Sequence, residues 1–306
     1  MPIRIPQKLP AYEALTAENI FVMTEKRARH QDIRPLEVAI VNLMPTTTDT
    51  ELQFLRLLGN TPLQVNITLL ALGSHDWTHA PPGHLERFYV PVADAMHRHF
   101  DGLIITGAPV ESQPFENVDY WDELCDVFAF SRAAVFSTLH ICWGAQAALY
   151  YHYEIPKVPL SQKLFGVFAH NVNEKTSPLF RGFDDIFLAP QSRHTESARS
   201  AIVSQSRLTI QSETPCGSPF IVTGSGGREI YVTGHLEYDN YTLDKEYRRD
   251  LAKGLVINVP INYYPQDDTA RPPLVRWRAH AHLFFSNWLN YVYQNVPYNL
   301  KKLESI

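Results

Sequence analysis

Cys142 lies at a position where a thiol nucleophile can act. It follows an apolar, β-branched run at residues 134–141, typical of a buried strand, and it precedes a helix-like stretch at residues 143–150. A nucleophile on a sharp strand-to-helix turn is lifted clear of the sheet, and the free N–H groups and dipole of the helix N-terminus favour its thiolate. Gly144 would keep the backbone closely packed after the turn. The pattern indicates a catalytic cysteine, with a buried structural cysteine as the alternative.

A second strand end carries the other groups that a thiol nucleophile needs. Residues 229–233 have the pattern of a short strand and run directly into a segment that contains His235 and Glu237. A thiol needs a base to deprotonate it, and the base needs a third group to orient its imidazole. Residues two apart lie on the same side of an extended backbone. We therefore predict a Cys142–His235–Glu237 catalytic site; the alternative is a surface histidine and glutamate in a loop.

Composition places the chain among ordinary globular proteins. Its 306 residues suffice for one large or two modest domains, and its hydrophobic and charged fractions are 45% and 19%. The net charge of −5 and the lack of a basic stripe interleaved with aromatic residues argue against a nucleic-acid partner. No apolar run is long enough to predict a membrane span, and residues 1–30 lack the apolar centre of a secretory signal.

Cysteine and histidine usage predicts neither a disulfide framework nor a metal site. Three cysteines cannot all pair, and their spacing matches no metal motif: Cys125, Cys142 and Cys216. Two histidine pairs lie in polar stretches without nearby carboxylates or thiols: His75 with His79, and His97 with His99. We therefore expect no bound metal and a reducing, cytoplasmic location.

Strands alternate with helices in the first half of the chain. Strands are predicted at residues 36–44, 63–69, 102–109 and 134–141, helices at 50–58 and 119–124, and a polar loop at 74–86. This alternation implies βαβ units and a mainly parallel sheet, so the fold class is α/β. Residues 107–111 and Cys142 then both lie at carboxyl ends of strands, where open α/β sheets bind their ligands.

The second half is richer in strands. The predicted elements are strands at 186–189, 208–212, 220–223 and 229–233, a hairpin turn at 225–228, and helices at 243–253 and 277–293. Neither an internal repeat nor a low-complexity linker divides the chain. We predict a single domain: an N-terminal arm at 1–35, an α/β core at 36–254 and a C-terminal extension at 255–306.

The segment Ile141-Cys142-Trp143-Gly144-Ala145-Gln146, with the distant His235 and Glu237, resembles the class I glutamine amidotransferase-like superfamily. The chain is more similar still to one branch of it, the homoserine O-acyltransferases of the methionine pathway. Further segments carry that resemblance: residues 18–25, 30–36, 57–65, 192–196 and 284–291. The resemblance implies a flavodoxin-like fold, with a mainly parallel sheet flanked by helices and a C-terminal extension.

The resemblance also implies roles for individual residues. Cys142 would attack an acyl-CoA thioester and hold the acyl group, His235 would act as base, and Glu237 would assist it. The hydroxyl of an amino-acid acceptor would then attack the acyl-enzyme, in a ping-pong sequence. Three residues match the substrate-binding positions of the family: Lys163, Ser192 and Arg249. The family further implies a cytoplasmic homodimer, small-molecule substrates and no cofactor besides acyl-CoA as co-substrate.

Glu111 bears on the acyl donor. In this family the residue after Gly-Ala-Pro-x is glycine in enzymes that use succinyl-CoA and glutamate in those that use acetyl-CoA. Here Gly107-Ala108-Pro109-Val110 is followed by Glu111. A carboxylate in the acyl pocket would repel the distal carboxylate of a succinyl group and occupy its space. Acetyl-CoA is therefore the predicted donor.

Two segments depart from the family pattern. Thr46, Thr47 and Thr48 occupy a stretch in which family members commonly carry a basic residue, and Leu236 replaces a proline between the catalytic residues. The first departure affects a loop on the catalytic side of the sheet. Serine is one methylene shorter than homoserine. One methylene changes the free energy by which a pocket discriminates between two substrates by only about 1–3 kcal/mol. We favour homoserine as acceptor and keep L-serine, and thus cysteine biosynthesis, as the alternative.

Two further classes of function remain as alternatives. A glutamine-hydrolysing amidotransferase would share the thiol elbow, but it would need a synthetase partner to receive ammonia, and Glu111 would have no evident purpose in it. A non-catalytic scaffold would share the fold alone. The intact set of Cys142, His235 and Glu237 argues against a scaffold.

Overall fold

One mixed sheet organises the part of the chain that the structure describes. The computed structural model describes residues 3–6, 8–17, 22–23, 34–75, 77 and 80–305. Much of the predicted N-terminal arm therefore lies outside the described residues. So do parts of the two N-terminal segments that carry the family resemblance, residues 18–25 and 30–36, and so does His79.

The sheet has a parallel part and an antiparallel part. Its strands are β1 (Ile3–Arg4), β2 (Val22–Met23), β3 (Leu36–Val41), β4 (Val65–Ala71), β5 (Tyr89–Pro91), β6 (Phe100–Ile105), β7 (Val135–Ile141), β8 (Lys157–Val172), β9 (Ile186–Ser197), β10 (Thr209–Glu213), β11 (Pro219–Gly224) and β12 (Glu229–Val232). Their order is β2-β1-β4-β3-β6-β7-β12-β11-β10-β8-β9, and β5 pairs with β4.

The strands from β2 to β12 in this order are parallel, and the pairs from β12 to β9 are antiparallel. The central path β4-β3-β6-β7-β12 has the 2-1-3-4-5 order of flavodoxin-like sheets. The prediction of a mainly parallel α/β sheet is therefore confirmed.

Helices cover both faces of the sheet. They are α1 (Pro10–Ala17), α2 (Thr47–Leu58), α3 (His84–Phe88), α4 (Val92–Ala95), α5 (Trp121–Ala134), α6 (Trp143–Tyr153), α7 (Arg199–Ser204), α8 (Thr242–Ala252) and α9 (Arg278–Asn295). Successive residues of a strand face opposite sides, so Val38 and Ile40 pack in one hydrophobic cluster while Ala39 and Val41 pack in the other. The first cluster includes residues of α1, α2 and α9, and the second includes residues of α5 and α6.

The C-terminal helix α9 packs directly on the sheet. Trp288 is fully buried, and its indole N–H donates a hydrogen bond to the Ser137 hydroxyl on β7 at 3.0 Å. A Cβ atom at Gly102 on β6 would lie 2.8 Å from the Trp288 ring, so the absence of a side chain there makes room for the indole. The final helix is thus part of the same hydrophobic cluster as the central strands.

Several elements differ from the sequence predictions, and three of them show why. The longest strand, β8, was not predicted, because its pairing with β9 is interrupted between Pro159 and Leu164, which breaks the alternation of buried and exposed residues. The predicted loop at 74–86 contains the start of helix α3, whose His84 is buried and lies 2.8 Å from Glu51. The helix predicted at 119–124 extends to Ala134, since apolar residues continue at helical spacing. Within the described residues, none of the helices combines the length and apolar character that crossing a membrane requires.

Candidate active site

Cys142 occupies the turn between β7 and α6 in a strained backbone conformation. Its φ and ψ angles are 50° and −116°, a combination that costs a non-glycine residue about 1–3 kcal/mol. Neighbouring groups hold it there. Its N–H donates to the carbonyl of Val232 at 2.7 Å, and its carbonyl accepts from the N–H groups of Ala145 and Gln146 at 3.0 and 3.2 Å. The sequence prediction of a nucleophile-type turn at this residue agrees with the geometry.

Two glycines allow the backbone to approach this turn. A Cβ atom at Gly144 would lie 2.5 Å from the carbonyl oxygen of Thr106, so a side chain cannot fit between the helix and the end of β6. A Cβ atom at Gly107 would lie 3.2 Å from Cβ of Cys142 and 3.7 Å from Cε1 of His235. The loop after β6 therefore passes beside the nucleophile without filling the space next to it.

His235 follows β12, the strand adjacent to β7. Its backbone N–H donates to the carbonyl of Pro190 at 3.0 Å, which fixes the segment against β9. Its Nδ1 atom lies 2.7 Å from Oε1 of Glu237, and its side chain also hydrogen-bonds that of Cys142. The structure thus brings the three predicted catalytic residues together at the carboxyl ends of two neighbouring parallel strands.

The charge on this histidine follows from its surroundings. Burial disfavours the imidazolium, but the negative charges of Cys142 and Glu237 and hydrogen bonds to both side chains outweigh it and hold the pKa of His235 well above its usual value. The ring is therefore protonated at neutral pH and faces the sulfur of Cys142. A positively charged ring next to a cysteine sulfur is the kind of surrounding in which cysteine nucleophiles react with acyl carbons.

Lys163, Ser192 and Arg249 surround two carboxylates that the sequence analysis did not identify. The Ser192 hydroxyl donates to Oε2 of Glu246 at 2.5 Å, and Nζ of Lys163 lies 3.3 Å from Oδ2 of Asp250. Arg249 pairs with Asp250 through Nε at 2.8 Å and Nη2 at 2.7 Å, and it remains half-exposed. The cluster therefore presents two cations and two carboxylates within a short distance of one another.

A spacing signal for this cluster was present in the sequence. Glu246, Arg249 and Asp250 lie at positions i, i+3 and i+4 of helix α8, so they share one face of it. That pattern alone does not distinguish a binding face from a solvated charged face. Contacts with Lys163 on β8 and Ser192 on β9 show that this face packs against the strands and is not a solvated face.

Tyr238 joins this cluster to His235. Its ring stacks on that of His235, with 4.0 Å between centroids and 17° between planes, and its hydroxyl donates to Oε1 of Glu246 at 2.7 Å. Burial, together with the charge of Glu246, raises the pKa of Tyr238 well above its usual value, so the phenol keeps its proton. A molecule bound at Glu246 would therefore lie one aromatic ring away from the imidazole of His235.

Glu111 lies in the loop that follows β6, held from two sides. Its Oε2 accepts hydrogen bonds from the backbone N–H of His194 at 2.8 Å and from the Thr195 hydroxyl at 3.4 Å. The ammonium group of Lys157 binds the backbone carbonyl of Glu111 at 2.8 Å and that of Gln113. Both the main chain and the side chain of Glu111 are thus fixed by β8 and β9.

The threonine loop lies at the same edge of the sheet, after β3. Thr46 is the N-cap residue of α2, but its side chain makes no capping hydrogen bond, and the helix begins three residues earlier than predicted. Asn42 donates a side-chain hydrogen bond to the carbonyl of Thr47 at 3.3 Å and fixes the loop. Among the described residues, His, Cys, Asp and Glu side chains form no group of three or more that could hold a metal ion.

Comparisons with known proteins agree on family and fold. The sequence profile of the homoserine O-succinyltransferase family matches residues 2–298. A homoserine O-acetyltransferase of Petrotoga mobilis is 56% identical over 305 residues, which are 99% of this chain and 99% of that protein. One from Acetivibrio thermocellus is 55% identical over 305 residues, 99% of this chain and 100% of that protein.

A solved structure supports the fold independently. A glutamine amidotransferase from Thermotoga maritima superposes with a TM-score of 0.54 over 85% of this chain and 99% of that one, at 11% sequence identity. At that identity the similarity concerns architecture alone. The flavodoxin-like strand order is thus that of a class I glutamine amidotransferase-like fold.

Proposed function

The chain belongs to the homoserine O-succinyltransferase family and is an acyltransferase, and from this membership we propose that it transfers an acetyl group from acetyl-CoA to the side-chain hydroxyl of L-homoserine, in methionine biosynthesis. The observation that carries the proposal is the hydrogen-bonded Cys142–His235–Glu237 set at the edge where the loop of Glu111 also lies. The reaction needs acetyl-CoA as co-substrate and no other cofactor.

The first half-reaction forms an acyl-enzyme. The sulfur of Cys142 attacks the thioester carbonyl carbon, and a sulfur–carbon bond forms while the carbonyl oxygen takes up negative charge. The first N–H groups of α6, at Trp143 and Gly144, have no carbonyl partner within the helix and are suited to bind that oxyanion. Collapse of the intermediate breaks the bond to the sulfur of CoA, which leaves with the proton of the His235 imidazolium.

The second half-reaction uses the neutral imidazole left by the first. His235 accepts the proton of the acceptor hydroxyl, whose oxygen attacks the acetyl carbon, and the Cys142 thiolate departs. The imidazolium–thiolate pair is thereby restored. Glu237 keeps the ring in the orientation required and stabilises its positive charge in both steps.

The charged cluster on α8 suits an amino-acid acceptor. A free amino acid carries a carboxylate and an ammonium group, and the cluster offers Arg249 and Lys163 for the first and Glu246 and Asp250 for the second. Tyr238 places this cluster beside His235, where the hydroxyl must lose its proton. The arrangement therefore suits a free amino acid whose side-chain hydroxyl lies near His235 as second substrate.

Glu111 supports acetyl-CoA as donor. Its carboxylate is fixed beside His194 and Thr195, and a succinyl group would bring a second carboxylate toward it. Two like charges brought together in a partly desolvated pocket repel each other, whereas an acetyl group ends in a methyl. The relatives named above are homoserine O-acetyltransferases, in keeping with this donor.

One observation favours a second candidate acceptor, L-serine. Thr46, Thr47 and Thr48 provide no basic side chain at the N-cap and first turn of α2, at the catalytic edge. A pocket altered there could prefer the shorter amino alcohol, which would place the enzyme in cysteine biosynthesis. We give homoserine precedence because it is the acceptor in the names of the relatives. We further propose that the enzyme acts as a cytoplasmic homodimer.

Turnover by the purified protein tests the proposal. We expect kcat/KM to be highest for acetyl-CoA with L-homoserine when both donors, acetyl-CoA and succinyl-CoA, are combined with L-homoserine and L-serine. Intact-protein mass spectrometry with acetyl-CoA alone should show one added acetyl group, which Cys142→Ser should abolish and Cys216→Ser, at an exposed free cysteine, should retain. A preference for succinyl-CoA would overturn the assignment of acetyl-CoA as donor, and a preference for serine would overturn the assignment of L-homoserine as acceptor. Glutamine hydrolysis without acyl transfer would overturn the reaction class.

A further inference from the structure

We propose that Thr195 and Gln146 form a positioning pair that holds the carboxylate of Glu111 in place and thereby sets the enzyme's discrimination between acyl donors. The inference rests on the donor role that the proposed function gives to Glu111. It concerns two residues that make no part of the catalytic set, on strand β9 and helix α6. Thr195 is 8% exposed and Gln146 is 1% exposed, so their contacts are shielded from water.

The pair is joined by two reciprocal hydrogen bonds. The Thr195 hydroxyl donates to Oε1 of Gln146 at 2.8 Å, and Nε2 of Gln146 donates to the backbone carbonyl of Thr195 at 3.1 Å. This reciprocity fixes which end of the amide is oxygen, because the opposite assignment would place two oxygens against each other. Both the side chain and the main chain of Thr195 are therefore held by one buried amide.

The main chain held in this way is the one that binds Glu111. The backbone N–H of His194 donates to Oε2 of Glu111 at 2.8 Å, and the Thr195 hydroxyl lies 3.4 Å from the same oxygen. A hydroxyl has one hydrogen, so its closer bond to Gln146 is the stronger, and the principal anchor of Glu111 is the N–H that the pair holds in position. A second buried group supports the strand end: Nη1 of Arg193 donates to the Thr195 carbonyl at 2.8 Å.

The pair also connects Glu111 to the nucleophile. Gln146 belongs to the first turn of α6, and its backbone N–H donates to the carbonyl of Cys142 at 3.2 Å. Hydrogen bonds through Gln146 therefore connect the Glu111 carboxylate to the turn that carries the reacting sulfur. A carboxylate that discriminates between acyl groups by repulsion and by space must be held at a defined distance from that sulfur, which a loop alone would not guarantee.

A double-mutant cycle tests the inference. Thr195→Val removes the hydroxyl and keeps the branched shape, Thr195→Ser keeps the hydroxyl, and each is compared in the presence of Glu111 and in Glu111→Gly. The measured quantity is the ratio of kcat/KM for acetyl-CoA to kcat/KM for succinyl-CoA. With Glu111 present, we expect Thr195→Val to lower this ratio about threefold to tenfold, the equivalent of one net hydrogen bond. We expect Thr195→Ser to remain near the parent, and Thr195→Val to leave the ratio unchanged when Glu111 is replaced by glycine.

Each outcome has a defined meaning. Suppose that Glu111→Gly changes the ratio and that Thr195→Val lowers kcat/KM equally for acetyl-CoA and succinyl-CoA. Thr195 is then merely structural, and the inference fails while the proposal of acetyl-CoA as donor stands. If Thr195→Val changes the ratio by the same factor without Glu111, it acts on the donor directly and the positioning role is overturned. If Glu111→Gly leaves the ratio unchanged, the donor assignment itself fails and the inference with it. Thermal unfolding of each variant identifies any loss of fold.

Discussion

Nδ1 of His235 lies 2.7 Å from Oε1 of Glu237, and each of the two side chains is only 5% exposed. The two residues are separated by Leu236 alone, so the contact is local and set by the backbone after β12. The other oxygen of Glu237 is buried without a hydrogen-bond partner. The imidazole is therefore the group that this carboxylate stabilises, and the Glu237 charge helps to keep His235 protonated.

We expect Glu237→Gln to lower kcat by roughly 10²-fold or more, because an amide cannot stabilise the imidazolium. The raised pKa of His235 keeps the ring charged until the pH rises through that value. Without Glu237 the pKa falls, and the imidazolium is lost at lower pH. Alkylation of Cys142 by iodoacetamide, followed across pH, should therefore be slower at neutral pH in the variant than in the parent.

Glu86→Gln is the matched control, since it removes a carboxylate from an exposed position on helix α3. It should leave both kcat and the alkylation profile unchanged. An unchanged profile in Glu237→Gln as well would show that another group sets the charge of His235.

Gly107→Ala should lower the rate of acyl-enzyme formation while leaving the fold intact. The added Cβ atom would lie 3.2 Å from Cβ of Cys142 and 3.7 Å from Cε1 of His235, in the space beside the reacting sulfur. We expect a loss of about tenfold or more in kcat/KM for acetyl-CoA, because misplacement of reacting groups by a fraction of an ångström is costly. Stopped-flow or quench measurement of the acetyl-enzyme provides the rate.

Gly73→Ala provides the control for this substitution. A Cβ atom there would meet only Oε1 of Glu123 at 3.8 Å, which is an ordinary contact. Activity and melting temperature should both stay close to those of the parent. Full acetylation rates in Gly107→Ala would contradict the view that the loop leaves room for the acyl group.

The spatial arrangement of Cys142, His235 and Glu237 could be predicted from sequence because the signals for it are local. A β-branched run, one cysteine and a helix-like stretch define the elbow, and His235 and Glu237 are neighbours along the chain. The charged cluster on α8 could not be predicted from periodicity, because Lys163 and Ser192 come from strands whose pairing has a register shift between Pro159 and Leu164. Their meeting with helix α8 depends on tertiary packing.

The difference between local signals and tertiary packing also explains which elements of the fold could be predicted. The central parallel strands have continuous apolar runs and were predicted close to their observed bounds, whereas β8 mixes exposed polar residues with a proline and was missed. The polar residues around His84 predict a loop there. In the structure His84 is buried on Glu51, which also accepts a hydrogen bond from Tyr89, so the polar character of that segment reflects an internal network.

Glu246→Gln should separate the two half-reactions. Glu246 accepts hydrogen bonds from Ser192 and Tyr238 and faces Lys163 at 3.8 Å, so its contacts are with the charged cluster and Tyr238. We expect acetyl-enzyme formation to be nearly unchanged and KM for the amino acid to rise about tenfold to a hundredfold, the loss of a charge-assisted contact. Acceptor titrations of the pre-formed acetyl-enzyme measure this, and an equal loss in both half-reactions would contradict it.

Glu229→Gln should destabilise the fold in a pH-dependent way. Burial alone would raise the pKa of Glu229, but hydrogen bonds from Arg132, Tyr153 and Tyr231 lower it from 4.5 to about 2. A lowered pKa stabilises the folded state above the unfolded value and loses that contribution as the pH falls toward the folded one. We therefore expect the variant to be about 3 kcal/mol less stable at neutral pH.

The difference in free energy of unfolding between parent and Glu229→Gln should shrink as the pH falls from 4.5 toward about 2. Urea denaturation across that range measures it. Glu213→Gln, which breaks a more exposed pair with Arg199, should cause a much smaller change, because solvent screens exposed ion pairs. A constant difference between parent and Glu229→Gln at every pH would show that the loss is one of packing, and that the buried carboxylate is not what holds β12 to helices α5 and α6.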